Sequence, residues 1–114
     1  MYSPDNIFAK ILLGILPSKM IYQDDEVFAF HDAYPVAPVH AILIPKAEYT
    51  DYDHFARQAD PLAVGRFFTK IPHVAKLLGL DSYRLITNKG AISGQSIFHF
   101  HVHIIGGTKL DTLI

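Results

Sequence analysis

The 114-residue chain predicts an α+β domain, a five-stranded antiparallel sheet with two helices over one face. Three observations carry this. Five short runs rich in aromatic and β-branched residues outnumber two stretches of helical spacing. The last two runs are joined by a loop too short for a crossover helix, so they pair antiparallel. The final run, "FHFHVHII", alternates strictly: Phe100, Val102 and Ile104 share one face and His99, His101 and His103 the other. The apolar face belongs against a helix, and the histidine face toward solvent or a ligand.

In chain order, Ile7, Phe8, Ile11, Leu12 and Ile15 form one helical stripe, with Asp5 as N-cap and Pro17 as the stop. Core packing accounts for most of that stripe. "KMIYQ" (19–23) and "EVFAFHD" (26–32) read as strands, with Asp24-Asp25 as the turn between them. A proline-broken loop, "YPVAPV", leads to a third strand, "HAILIP" (40–45), closed by Pro45. Segment 48–58 is polar and aromatic and predicts no definite element.

Asp60-Pro61 then opens the second helix as cap and first-turn proline. Its stripe is Val64, Phe67, Phe68, Ile71, Val74, Ala75 and Leu78, and Gly79 ends it. Pro72 removes one backbone bond inside this helix. A kink rather than a break is expected, because the stripe keeps its phase across it. "YRLITN" (83–88) and "IFHFHVHII" (97–105) complete the sheet, separated by the glycine- and serine-rich "KGAISGQS".

Length fits a single domain, 1–114, and a hydrophobic content of 50% argues against disorder. With 10 basic and 11 acidic residues and no run of like charge, the chain lacks a footprint for DNA or RNA. There is no cysteine, which excludes disulfides, thiol nucleophiles and thiolate metal sites. The apolar "IFAKILLGIL" carries Lys10 and lacks a basic leader and a small-residue cleavage site. It is also too short to cross a membrane. A soluble, cytoplasmic protein is expected, with no membrane partner.

Three histidines in step on one strand span about 13 Å, wider than one ion bridges with three rings. Two of them could join a metal with ligands from elsewhere, and His40, opening the third strand, is a further donor. No carboxylate or cysteine partner is obvious in the surrounding motifs. The other histidine chemistry is nucleophilic and acid–base work near neutral pH, which suits phosphoryl or nucleotidyl transfer. Gly90, Gly94 and Ser96 beside the histidines offer backbone N–H groups and a hydroxyl, the kind of concavity that holds phosphate oxygens. His31, His54 and His73 stand alone and read as structural residues.

"HFHVHII" resembles the signature of the histidine triad (HIT) family, three histidines alternating with apolar residues. The flanks "NIFAKIL", "IYQDDEVFAFHD", "AYPVAPVHAILIPK" and "GQSIFHFHVHIIGG" resemble its Hint branch, the purine nucleoside phosphoramidases, in family order over 6–107. The resemblance implies a HIT-like fold whose five-stranded sheet pairs with a second copy into a ten-stranded homodimer. It implies a hydrolase in which His101 attacks the α-phosphorus and forms a nucleotidyl-histidine. Water then releases the nucleoside monophosphate, with no cofactor or metal required.

By the same resemblance the His99 carbonyl orients His101, His103 contacts phosphate, and His40 extends the proton-handling chain. Ser96 bonds near the leaving group, while Asn88, Gly94 and Gln95 hold the phosphate region. Asp32 accepts from the ribose hydroxyls. Ile7, Phe8, Ile11, His31, Ala33, Ile42 and Ile97 complete the purine nucleotide site. Related readings are a dinucleoside polyphosphate hydrolase and a nucleotide-binding regulatory protein with little turnover. Two features depart from the pattern. After Gly107 only "TKLDTLI" follows, without the tryptophan- and proline-bearing tail of many Hint proteins, and Pro72 lies in a helix expected near the dimer interface.

Overall fold

The structure, a computed structural model, describes residues 1–112; the last two residues of the short tail lie outside them. Strands β1 (Met20–Gln23), β2 (Val27–His31), β3 (Val39–Pro45), β4 (Tyr83–Ile86) and β5 (Val102–Gly106) form one sheet in the order β1-β2-β3-β5-β4. Every neighbouring pair is antiparallel. Helices are α1 (Ile7–Leu12), α2 (Tyr52–Gln58) and α3 (Pro61–Leu77).

Period two sorts the central strands between two layers. Val27, Ala29, Ala41, Leu43, Val102 and Ile104 join Phe55, Phe67, Ile71 and Val74 of α2 and α3 in the main core. The alternate residues Phe28, Phe30, Ile42 and Ile44 pack with Phe8 of α1 in a second cluster. Helices therefore cover both faces, where the sequence predicts one. The physical reason is visible in β2, whose first four residues are all buried and leave no face for water.

Segment 48–58, left without an element above, contains α2. Asp51 caps it by accepting the His54 N–H, so the helix count is three. At the N-terminus the cap is Asn6 rather than Asp5, its side chain accepting the Ala9 N–H at 2.9 Å. Helix α1 ends at Leu12, before Gly14 turns the chain at φ +74°, so Pro17 is not its stop and Ile15 lies exposed beyond it. Helix α3 runs unbroken through Pro72 after an Asp60 cap to the Leu62 N–H.

The last strand starts later than its alternation suggests. Residues 97–101 lie outside the ladder because their polar groups bond to the loops beside them. Phe100 N–H donates to Tyr49 O at 2.7 Å, and Thr87 Oγ1 donates to His101 O at 2.7 Å. Alternation survives even so: Phe100 enters the main core with Val102 and Ile104, while His101 and His103 face the α1 side. At the far end Gly106 is required, since a Cβ there would lie 2.9 Å from Ser82 O.

Candidate active site

Between α1 and the sheet lies a cavity of about 920 Å³. Helix α1 supplies Ile7, Phe8 and Ile11 to its wall; β3 supplies His40 and Ile42; the histidine segment supplies His101 and His103. Asp32, Ala33 and His31 line it from the end of β2, and Asn88, Gly94, Ser96 and Ile97 from the β4–β5 connection. Gln95 and His99 do not line it. Pro17, Ser18, Lys19, Phe30 and Tyr34 do, and sequence reasoning missed them. Only the fold brings the chain leaving α1 back across the opening, so no local signal marks Ser18 or Lys19.

Hydrogen bonds assign the ring protons. A carbonyl only accepts, so His101 Nδ1–H donates to His99 O at 2.7 Å. The other nitrogen, Nε2, then carries the lone pair and is bonded by no other group among the described residues. Burial lowers the pKa of His101 against the opposing pull of that carbonyl, which keeps the ring neutral. Phe8 packs edge-on against it, ring centroids 4.8 Å apart.

His40 and His103 sit on neighbouring strands, His103 opposite Ile42 and thus diagonal to His40 on the same face. His40 Nδ1 accepts the Val36 N–H at 3.1 Å, so its proton is on Nε2. That proton is given to His103 Nδ1 at 2.8 Å, and His103 in turn keeps its own on Nε2. Burial lowers the pKa of His40, opposed by Asp32, whose Oδ2 lies 3.3 Å from Nε2. His103 falls to about 4, through burial first and then the His101 and His40 rings. At neutral pH the pair is an uncharged donor chain.

His99 is the exception among the three. Its side chain is fully buried on the α1 side, its Nε2–H donating to Pro45 O at 2.8 Å and its Nδ1 meeting Tyr2 Oη at 2.6 Å. The expectation that all three rings face solvent or a ligand is thereby corrected: His99 contributes its carbonyl to the site and buries its ring.

Gln95 also needs correcting. Its Oε1 accepts the Gly90 N–H at 2.9 Å, and its Nε2 donates to Thr50 O at 2.9 Å and Ile97 O at 3.1 Å. With these bonds and 4% exposure the side chain braces the loop from below and does not reach the cavity. The loop's upper surface is left to Gly94, at φ +101°, and Ser96. Asn88 lies across it, 3.9 Å from where a Cβ at Gly94 would stand. His54 accepts the Thr50 N–H and His73 packs on Tyr22, both structural uses outside the cavity.

Asp32, His40 and His103 bring one donor atom each within 4.8 Å of one another, a spacing that could hold a cation. Asp32 is thus a carboxylate partner that the sequence motifs did not reveal, and a cation there would have to displace the ring protons now in place. Ligation through His40 Nε2 would move the ring proton to Nδ1, directly against the Val36 N–H that Nδ1 now accepts.

Residues 14–110 match the family model of the HIT domain, and the chain belongs to that family. It is 54% identical over 116 residues to an uncharacterized HIT-like protein of Rickettsia prowazekii, covering 100% of this chain and 97% of that one. Among solved structures, a histidine triad protein from Clostridium difficile superposes with TM-score 0.89 at 37% identity, covering 100% of both chains. A HIT family hydrolase from Clostridium thermocellum superposes with TM-score 0.89 at 34% identity, covering 98% of both.

Proposed function

We propose that the protein is a metal-independent nucleotide hydrolase that cleaves purine nucleoside phosphoramidates, or related nucleoside 5'-phosphate conjugates, to the monophosphate. The state of His101 supports this best. A neutral imidazole on the cavity wall, its Nδ1–H tied to the His99 carbonyl, is a nucleophile that needs no prior proton loss. Nε2 attacks the α-phosphorus while the neutral His103 holds a phosphate oxygen through its Nε2–H. The substrate's phosphorus–nitrogen bond breaks as the leaving amine takes a proton from solvent. Water then attacks the nucleotidyl-histidine, releases its proton to solvent, and the phosphorus–Nε2 bond opens to restore neutral His101.

The surroundings suit that substrate. Ile7, Phe8, Ile11 and Ile42 make a flat apolar wall for a purine. Asp32 spends Oδ1 on the Tyr34 N–H, yet a carboxylate keeps acceptor capacity for ribose hydroxyls. A volume of about 920 Å³ is near the top of the roughly 300–1,000 Å³ usual for ligand sites, which leaves room for a leaving group. The hydrolase named among the superposed structures points the same way. A cytoplasmic location suits a nucleotide substrate.

The test is turnover of adenosine 5'-phosphoramidate in the presence of a chelator. His101→Ala should lose roughly 10³-fold or more in kcat, the scale of removing a nucleophile. Unchanged turnover in the variant would refute the assignment, and loss of activity with chelator would refute metal independence. Faster cleavage of a diadenosine polyphosphate would favour that substrate class, and tight AMP binding without turnover a regulatory role.

We also propose a homodimer through β4, which pairs only with β5 and leaves its other edge open among the described residues. Two such edges joined antiparallel would give a ten-stranded sheet.

A further inference from the structure

Tyr2 lies ahead of the residues matched by the HIT family model, and none of the chemistry above uses it. Its hydroxyl nevertheless meets a ring 97 residues away, His99 Nδ1 at 2.6 Å. The proton directions in this contact are determined by its neighbours. Asn6 Nδ2 is a donor and gives its proton to Tyr2 Oη at 3.0 Å. Pro45 O can only accept, so His99 carries its proton on Nε2 and must accept on Nδ1. Tyr2 therefore accepts from Asn6 and donates to His99.

Both ends of this chain of bonds reach the cavity. Asn6 caps α1 through the Ala9 N–H, and α1 carries the Ile7–Phe8 wall. His99, clamped at both ring nitrogens, is the residue whose carbonyl receives His101 Nδ1–H. A peptide plane cannot turn freely when its side chain is held at two points, so the ring clamp limits where that carbonyl points. Tyr2 also packs edge-on against the His99 ring, centroids 5.5 Å apart.

We propose that Tyr2 is a positioning residue for the nucleophile: by holding the His99 ring from the side opposite Pro45, it sets the carbonyl that selects the reactive tautomer of His101. This rests on the reading of His101 as nucleophile, but the tautomer itself is a property of the protein without substrate.

The test uses Tyr2→Phe, which removes the hydroxyl and keeps the ring packing. Two readouts separate positioning from mere folding: nitrogen-15 chemical shifts of the His101 ring, and kcat against the dissociation constant for AMP. The wild-type ring should be almost wholly Nδ1–H. The variant should show a mixed tautomer signal, kcat reduced about tenfold, the scale of one buried acceptor left unpaired, and AMP affinity within about twofold. An unchanged His101 signal and unchanged kcat would overturn the proposal. Equal loss of kcat and AMP affinity with a wild-type tautomer would also overturn it, as a structural effect.

If wild-type protein turns over no phosphoramidate, the function reading fails, while a shifted His101 tautomer in Tyr2→Phe still upholds the clamp. Asn6→Asp is the second variant should Tyr2→Phe not fold. It keeps an N-cap oxygen but gives Tyr2 a carboxylate to donate to, so it should disturb the His101 tautomer in the same direction.

Discussion

His99 and His103 both have pKa values near 4, from burial first in each case, although His99 is held by backbone and His103 by another imidazole. Each folded value lies below the ordinary 6.5. Between pH 6.5 and about 4 the unfolded chain therefore binds protons that the folded chain refuses. Stability from this source is complete above pH 6.5 and declines as pH falls toward 4. Asp24 acts in a lower window. Burial opposes it, but the N–H groups of Glu26 and Val27 bring it down to about 2, so its contribution goes only below 3.8. Melting temperature should thus start to fall near pH 6.5, well before carboxylates titrate; a Tm flat down to pH 4.5 would contradict the burial of these rings. Gln95 supplies a second prediction at this scale. Gln95→Ala leaves three backbone groups without their partner and should cost about 2–3 kcal/mol, measured by urea unfolding.

At the scale of elements, α1 is a six-residue helix too short to be stable alone, and packing holds it in place. Phe8 carries that packing, 4% exposed and set edge-on to Phe30 and His101. Phe8→Ala should cost about 3–5 kcal/mol and weaken AMP binding, since the same ring is core and cavity wall. Calorimetry of both quantities checks this, and a loss of one without the other would separate the two uses. In α3, Pro72 is exposed and interrupts the bonding of an otherwise continuous helix. Pro72→Ala should raise stability by about 1–3 kcal/mol in denaturant unfolding, because the missing N–H is restored with little burial lost. Element types were legible for all five strands and two helices, from aromatic and β-branched runs, the alternation in "HVHII", the helical stripes and the Asp60-Pro61 cap. Helix α2 was not, because its seven residues bury only Phe55 and leave no stripe to read. The early part of the last strand misled for a different reason. Alternation reports which way side chains point, not which backbone groups find ladder partners.

For the whole molecule, the open β4 edge bears Leu85 at 45% exposure. If copies join there, the mass by light scattering should be twice the 12.8 kDa of one chain, and Leu85→Pro should reduce it to one. A monomer at all concentrations would remove the ten-stranded assembly. The site itself was largely legible: of the residues named from sequence, only Gln95, the His99 ring and Gly90, whose N–H is taken by Gln95 Oε1, lie away from the cavity. By itself the sequence determined the sheet, its antiparallel end and the common face of His101 and His103, because side-chain alternation is a property of consecutive residues. Tertiary structure alone decided the protonation of each ring and the clamp on the third. Those depend on Pro45 O, Val36 N–H and Tyr2 Oη arriving at particular nitrogens, two of them from more than 50 residues away, and packing sets such meetings where local pattern cannot.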